Sequence, residues 1–351
     1  MGTIGKMFDQ DMIEDMVNEL KEWPAMSFGD EDIQALAVGP FLTIYFLYDS
    51  ANAQQTVLTM IDLHQRFERM TNSPFAIVTD PDSERPYPIG SNKLPDPASY
   101  AKSLSPEDYF ILMASSEKNA RSSPVYGAKL WKMRAHMNDA PDPTGKSFSF
   151  VQFYYSWTWW LDHRQEWQDF VHSAVVALNA YVAYSGFAVA NPIEPGTRAD
   201  AAVLERALAP HFHGLDIDNP SGQHQLGFGI RTPTWGFFLS DVLREKLGYT
   251  SKQARDLLAH ERIRVKALAG GLWIELGDKP DLYPVEHGVP ELPAILNKLI
   301  KPVRDDRMSL VGCAQWEDAP NERFSKADAI RWMGRFDETS DWRDAKIRQS
   351  R

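Results

Sequence analysis

The chain has 351 residues, of which 43% are hydrophobic and 24% are charged, as is usual for a soluble globular protein. It carries 48 acidic and 37 basic side chains, a formal net charge of −11 at pH 7. This balance argues against nucleic-acid binding, which needs a basic face, and fits a partner that is itself basic. The single cysteine, Cys313, excludes an intramolecular disulfide and indicates a reducing compartment.

The first residues of the chain indicate neither export nor membrane insertion. They read MGTIGKMFDQDMIEDM, which has no apolar core and turns acidic at once, unlike a signal peptide. No uninterrupted apolar run approaches the roughly 20 residues that a membrane-spanning helix needs. We therefore expect a cytoplasmic protein that does not bind a membrane.

Residues 9–23 have the spacing of an amphipathic helix, which Asp9 can cap and Pro24 ends. Its apolar stripe consists of Met12, Ile13, Met16, Val17 and Leu20. Its other face is acidic and carries Asp11, Glu14, Asp15, Glu19 and Glu22. Residues 1–35 hold nine acids and two bases. Two interpretations stay open: a solvated helix face, which is the usual meaning of a charge run, or an acidic patch that meets a basic partner.

Strands, helices and a loop alternate between this helix and residue 145. Pro40 opens a predicted strand that ends at Asp49, and a helix follows from about Ala51 to Met70. Shorter runs predict strands at 75–78 and 126–136. Repeated prolines mark residues 80–97 as a surface loop, and residues 138–145 are the best linker candidate.

Residues 147–190 form the predicted centre of the core. Aromatic and β-branched residues predict a strand from Phe148 to Trp157, and residues 187–190 predict another. Between them, helical spacing predicts one long helix, whose stripe is Trp160, Trp167, Phe170, Val171, Ala174, Val175, Leu178 and Tyr181. A similar strand–helix–strand order over residues 41–78 weakly suggests two related halves.

The rest of the chain alternates short strands and helices. Strands are predicted at 226–230, 263–268, 272–276 and 308–314, the middle two forming a hairpin around Gly270 and Gly271. Helices are predicted at 197–208, from Thr232 or Thr234 to Gly248, at 251–260, 292–299 and 325–333. Without Gly-rich phosphate loops, this order predicts an α+β fold, with antiparallel or mixed sheets flanked by helices.

Composition and the linker candidate suggest four divisions of the chain. They are an acidic N-terminal helix (1–35), an N-terminal α+β half (36–140), a C-terminal α+β half (146–336) and a charged tail (337–351).

Signs of catalysis are few. The chain has no GxSxG elbow, GxxxxGKS/T loop, HExxH helix or CxxC pair, and Gly227 and Gly229 lack the third glycine of a dinucleotide site. Cys313 lies in an apolar run, as is typical of a buried small residue. One cluster has the residue types of a metal site: His211, His213, Asp216, Asp218 and His224. Pro210 and Gly214 indicate a loop there, so no strand sets its geometry, but a metal-dependent hydrolase using His211 and His213 stays an alternative.

Four segments match a known pattern in their order and spacing. They are FSFVQFYYSW with its following helix and SGFAVA, HGLDID at 213–218, LGFGIRTPTWGFFLSDVLREKLG at 226–248, and AGGLWIELGDKPDLYPVE at 269–286. In these segments the chain resembles the type VI secretion immunity proteins, most strongly over residues 147–303. It departs from their pattern after Pro280, where Asp281 and Leu282 stand in place of the usual Gly-Asp pair.

The resemblance implies a cytoplasmic protein that binds and neutralises a cognate secreted effector toxin, such as a nuclease, without catalysis, metal or cofactor. It also implies that HGLDID is a packing motif in which Asp216 and Asp218 fix a turn. Toxins that hold nucleic acid present basic clefts, so the candidate partner-binding residues are Asp11, Glu14, Asp15, Glu19 and Glu22. Aromatic residues often anchor interfaces, and weaker candidates outside the apolar stripes are Trp23, Trp316 and Trp342.

Two other classes of function compete with this one: the metal-dependent hydrolase, and an assembly component of the same secretion system. A binding protein predicts an acidic surface or groove. The hydrolase predicts histidines and carboxylates that converge in a deep cleft, and the assembly component predicts a persistent oligomer.

Overall fold

The computed structural model describes residues 10–29, 35–72, 75–143, 145–194, 198–217, 224, 226–305 and 326–342. Within them the chain forms a 12-stranded sheet with helices packed against it, which confirms the α+β class. The strands are β1 (Met26–Phe28), β2 (Leu36–Phe46), β3 (Ile77–Thr79), β4 (Pro86–Pro88), β5 (Phe110–Ser115), β6 (Gly127–Lys132), β7 (Ser149–Tyr154), β8 (Val182–Val189), β9 (Leu215–Asp216), β10 (Gly236–Ser240), β11 (Ile263–Leu268) and β12 (Gly271–Leu276).

The helices vary from a single turn to 19 residues. They are α1 (Gln10–Glu22), α2 (Ala53–Thr71), α3 (Pro97–Ser103), α4 (Ala135–Asn138), α5 (Trp157–Asp162), α6 (Arg164–Ala177), α7 (Arg198–Leu208), α8 (Asp241–Lys246), α9 (Ser251–Leu257), α10 (Glu291–Ile300) and α11 (Lys326–Met333). None of these helices combines the length and the apolar character that crossing a membrane would require.

The strands are ordered β11-β12-β10-β8-β2-β7-β6-β5-β3-β4, with β1 paired to β2 and β9 paired to β8. Every pairing is antiparallel except the short one between β8 and β9. At the centre, β2 lies between β8 and β7. The predicted halves 36–140 and 146–336 therefore contribute strands to one shared sheet.

β2 is longer than predicted and starts earlier. It begins at Leu36 rather than after Pro40, and it ends at Phe46 rather than Asp49. Pro40 lies inside the strand, where its carbonyl accepts a hydrogen bond from the Tyr155 N–H at 3.2 Å. In an extended strand, the N–H and C=O of one residue face the same edge. The position of the missing N–H of Pro40 therefore faces the edge of β2 on which Tyr155 lies. A proline is tolerated there because no strand partner needs that N–H.

The predicted central helix is two helices. It breaks at His163, whose backbone is not helical (φ −125°, ψ 33°), and it ends at Ala177, so the prediction that it reached Tyr181 was wrong. The buried stripe itself is confirmed for Trp160, Trp167, Phe170, Val171, Ala174 and Val175. The two strand–helix–strand units also differ, because β8 lies two positions from β7 whereas β3 lies four positions from β2.

The predicted strand and helix within residues 226–248 are both wrong. The predicted helix from Thr232 or Thr234 is instead β10 followed by α8, and the predicted strand 226–230 is a turn with one isolated bridge at Ile230. β10 pairs on both sides, with β8 and β12, so sheet hydrogen bonds override the helical spacing. A Cβ at Gly236 would lie 2.9 Å from the Trp273 ring, so this close strand packing requires glycine.

The predicted hairpin at 263–276 is confirmed, with Leu268 opposite Gly271 and Gly270 in the left-handed region at φ 84°. The predicted strand 308–314 and Cys313 lie outside the described residues.

The two outer strands of the sheet discourage further strand pairing. β4 is Pro-Tyr-Pro, and prolines cannot donate to a ladder. β11 exposes Arg264 and Lys266, and such charges on an edge strand oppose pairing with another chain. A partner protein therefore finds little support for docking at either end of the sheet.

Phe170 tests how α6 is packed, because its ring lies in an aromatic cluster, 5.3 Å from Phe153 and 5.8 Å from Phe67 between ring centres. Phe170→Ala is expected to lower the free energy of unfolding by about 3–5 kcal/mol through lost burial and a cavity. Urea unfolding measures this change. Val176→Ala on the exposed side of α6 is the control, with a change within about 0.5 kcal/mol, and equal effects would contradict the packing.

Candidate partner-binding surface

The acidic N-terminal helix is docked on the fold by its apolar side. Met16, Val17 and Leu20 are buried in the main core, and α1 packs against α7. The ammonium of Lys21 forms an ion pair of 2.6 Å with the carboxylate of Glu286, and this hydrogen bond lowers the pKa of Glu286. The apolar stripe and the ion pair together set which face of α1 points to solvent.

That outward face carries the predicted acids, and all five are exposed: Asp11, Glu14, Asp15, Glu19 and Glu22. We call them the acidic ridge. None of them forms an ion pair with any residue that the structure describes, and Glu14 accepts only the Gln10 amide at 3.0 Å. Asp11 and Asp15, like Asp15 and Glu19, lie one helical turn apart, where like charges destabilise a helix. Among the described residues, this self-repelling row of carboxylates thus has no ion-pair partner.

An exposed tryptophan directly follows this ridge. The Trp23 N–H donates to the Glu19 carbonyl at 2.8 Å, so Trp23 extends the last turn of α1. Its side chain is 43% exposed, so Trp23 stays a candidate for contact with a partner. Trp342, another of the weaker candidates, is fully buried, and its indole N–H donates to the Ala209 carbonyl at 3.0 Å. Trp316 lies outside the described residues.

A cleft of about 200 Å³ opens beside Trp23, and we call it the Trp23 groove. It lies where two strands meet on one edge of β2: β1 pairs up to Val38, and β7 pairs from Phe41 onward. Gly39 and Pro40 occupy the gap between these partners. The groove is lined by Trp23, Ala25, Met26, Ser27, Ala37, Val38, Gly39, Pro40, Pro124, Val125, Tyr154, Tyr155, Ser156, Trp157 and Thr158.

The sequence interpretation found the ridge but not the groove, whose residues come from five separate stretches of the chain. One signal was available, since a proline inside the run LAVGPFLTIYF marks a place where the strand edge lacks a partner.

The candidate metal cluster of the alternative interpretation is not assembled among the residues that the structure describes. His213 is 2% exposed, His211 ends a single 3₁₀ turn, and His224 Nδ1 lies 2.6 Å from the Ser147 hydroxyl. Asp218 lies outside the described residues. Across the part of the chain that the structure describes, no group of three or more His, Cys, Asp or Glu side chains is placed to hold a metal ion. The histidines therefore give the hydrolase alternative no geometric support.

Asp216 takes part in a buried charge cluster rather than in a turn. It lies in β9, and its carboxylate is 3.2 Å from Arg231 and 3.9 Å from Arg335, with all three side chains buried. The guanidinium of Arg231 stacks over Tyr184 at 4.3 Å, and that of Arg335 over Trp332 at 3.5 Å. The implied role of Asp216 in fixing a turn is corrected: it pairs with two arginines that the sequence interpretation missed, one of them on the turn after α11.

The glycine of HGLDID is explained by a close backbone contact. A Cβ at Gly214 would lie 2.1 Å from the Asp281 carbonyl oxygen, and the Gly214 N–H donates to Leu282 at 2.7 Å. The segment after Pro280, where the chain departs from the family pattern, therefore packs directly on this motif.

These features can be compared with known proteins. Residues 65–336 match the family described as type VI immunity for VRR-NUC, and the chain belongs to this family. No curated protein matches the chain. Among solved structures, the type VI secretion system (T6SS) protein PA0821 of Pseudomonas aeruginosa superposes with a TM-score of 0.76 at 16% sequence identity. The match covers 93% of this chain and 91% of that one, and at this identity it establishes the fold alone.

The buried His213 should make the stability of the folded protein depend on pH. Burial, and secondarily the Arg335 cation, lower the pKa of His213 to about 4 from 6.5. As pH falls, His213 is therefore protonated in the unfolded chain at a higher pH than in the folded protein, and this favours unfolding. Through His213 alone, the free energy of unfolding should fall by about 2 kcal/mol between pH 7.5 and 5.

Urea unfolding of the parent and of His213→Gln at both pH values measures this contribution, because the variant cannot take up the proton and should lose less stability on acidification. His287→Gln replaces an exposed histidine and is the control. Equal acid sensitivity of His213→Gln and the parent would contradict the assignment.

Proposed function

We propose that this chain is an immunity protein that binds and neutralises a type VI nuclease effector of the VRR-NUC class without catalysing a reaction. The observation that carries the proposal is the family match over residues 65–336. The exposed acidic ridge supports it, because the surface has the charge that a nuclease cleft would attract. Since a nuclease damages nucleic acid inside the cell, we place the neutralising complex in the cytoplasm.

The physical basis of this choice of partner is charge complementarity. A nuclease holds the phosphate backbone with lysines and arginines, so its substrate cleft is positively charged. The ridge carboxylates form no ion pair with a described residue, so their charge can act on an approaching protein. Five of them on one side of a single helix steer a basic surface towards α1 and raise the association rate. We propose Asp11, Glu14, Asp15, Glu19 and Glu22 as partner-binding residues.

The ridge also suits a partner that must be recognised quickly. Charges at the rim of an interface change the association rate and its salt dependence more than the dissociation rate. An immunity protein has to reach its toxin before the toxin reaches nucleic acid, so a fast encounter is useful even where the final affinity has another source.

A charge reversal tests the ridge. Glu14→Lys, Asp15→Lys and Glu19→Lys together should slow association with a catalytically inactive VRR-NUC effector from the same bacterium by about tenfold or more at low salt. The difference should shrink at high salt, where the Debye length is short. Surface plasmon resonance at two ionic strengths separates the association and dissociation rates.

The matched control places the same charge change elsewhere: Glu245→Lys, Asp256→Lys and Glu261→Lys, three exposed acids on and near α8 and α9. A smaller effect of this control assigns the steering to the ridge. Equal slowing by both variants would remove the ridge from the interface. Absence of any complex with the parent chain, together with no protection in cells that produce the active effector, would overturn the proposed function.

A further inference from the structure

We infer that the Trp23 groove receives one apolar side chain from a basic segment of the effector, while the basic neighbours of that side chain contact the acidic ridge. This inference rests on the proposed function and adds the anchor of the interface and the chemistry of the segment that fills it. Its carrying observation is a cleft, lined mainly by apolar residues, that adjoins a row of carboxylates with no ion-pair partner among the described residues.

The groove exposes two large apolar side chains. Trp23 and Val125 both line it, and they are 43% and 41% exposed. A volume of about 200 Å³ suits a single large side chain, since apolar cavities of about 150 Å³ already hold a benzene ring. Large exposed aromatic residues at a pocket are the residues that most often dominate binding energy.

Gly39 and Pro40 suit the floor of the groove to apolar contact, because the first has no side chain and the second has no N–H donor. Gly39 presents no side chain, and a Cβ built on it would meet no atom within 4 Å. Pro40 has no N–H, and its carbonyl is already bonded to Tyr155. Filling the groove with an apolar group therefore breaks no hydrogen bond of the Pro40 backbone, so this residue adds no unsatisfied backbone group on binding.

The wall that carries Trp23 is held in place before a partner binds. Trp23 makes an edge contact with Trp157, with ring centres 6.4 Å apart. Trp157 is buried and stacks on Trp160 at 5.0 Å, within the main core. An anchor site that needs little rearrangement loses less entropy on binding.

Charge complementarity decides the kind of occupant. Glu22 precedes Trp23, and the Glu19 carbonyl accepts the Trp23 N–H, so the nearest carboxylates of the ridge lie on the same helical turn as this wall. Neither carboxylate has an ion-pair partner among the described residues. A segment that inserts an apolar side chain here meets these carboxylates with its flanking residues. Lysine or arginine beside the inserted side chain is favoured, and aspartate or glutamate is repelled.

Two variants test the groove, with dissociation from the inactive VRR-NUC effector as the readout. Gly39→Leu fills the groove from its floor, at a position where the added Cβ has open space. Trp23→Ala removes the exposed wall. Each should raise Kd about 30-fold or more, mainly through faster dissociation, whereas Trp23→Phe should retain most of the affinity. Leu257→Ala, which truncates an exposed apolar residue on α9, is the control and should change Kd less than about twofold.

Each result has one meaning when thermal unfolding shows that the variants are folded. If the parent binds and Gly39→Leu and Trp23→Ala both keep Kd within about twofold, the groove inference is overturned while the proposed function stands. If the parent forms no complex, the proposed function itself fails. The groove could instead be occupied by a second copy of this chain, and sedimentation of the parent protein alone tests this alternative. A dimer that Gly39→Leu abolishes would overturn the inference.

Discussion

A single edge of β2 takes hydrogen bonds from two different strands, β1 at Leu36–Val38 and β7 at Phe41–Phe46. The opposite edge pairs with β8 along most of its length, so β2 holds the two sides of the sheet together. Neither β1 nor β7 pairs with Gly39 or Pro40, so this edge of β2 is open between its two partners. Because only three residues separate α1 from β1, the same pairing also positions the acidic helix beside the opening.

The fold contains one group of charges that is buried and paired, and another that is exposed to solvent. Asp216, Arg231 and Arg335 are buried, and a buried ion without a partner would cost several kcal/mol, so they form a cluster with aromatic stacking. The carboxylates of the acidic ridge are solvated, and each like-charge pair one turn apart costs only about 0.2–0.5 kcal/mol. The fold can therefore tolerate the ridge unpaired, whereas it must neutralise Asp216 internally.

Local patterns predicted what depends on local physics. The apolar stripe of α1, the acids on its other side and the hairpin at Gly270 follow from spacing and turn chemistry within one short segment. Gly236–Ser240 was predicted as a helix because its spacing fits one, yet partners on both sides make it a strand. Trp342 and Arg335 were beyond local reasoning, since their contacts lie more than 100 residues away, at Ala209 and His213. The groove depends on strand register and was equally out of reach.

The ridge and the groove act over different distances, and this gives their proximity a physical meaning. Exposed charges attract a partner across about 8 Å at physiological ionic strength, but they contribute little once water fills the space between them. An apolar cleft exerts no attraction until the surfaces touch, and then each buried Å² slows separation. In the proposed complex, carboxylates on the same helical turn as Trp23 would guide the encounter towards the adjoining cleft. A surface with only the ridge would bind quickly and release quickly, and one with only the groove would bind slowly. In this proposal the extension of α1 into Trp23 supplies both in one element.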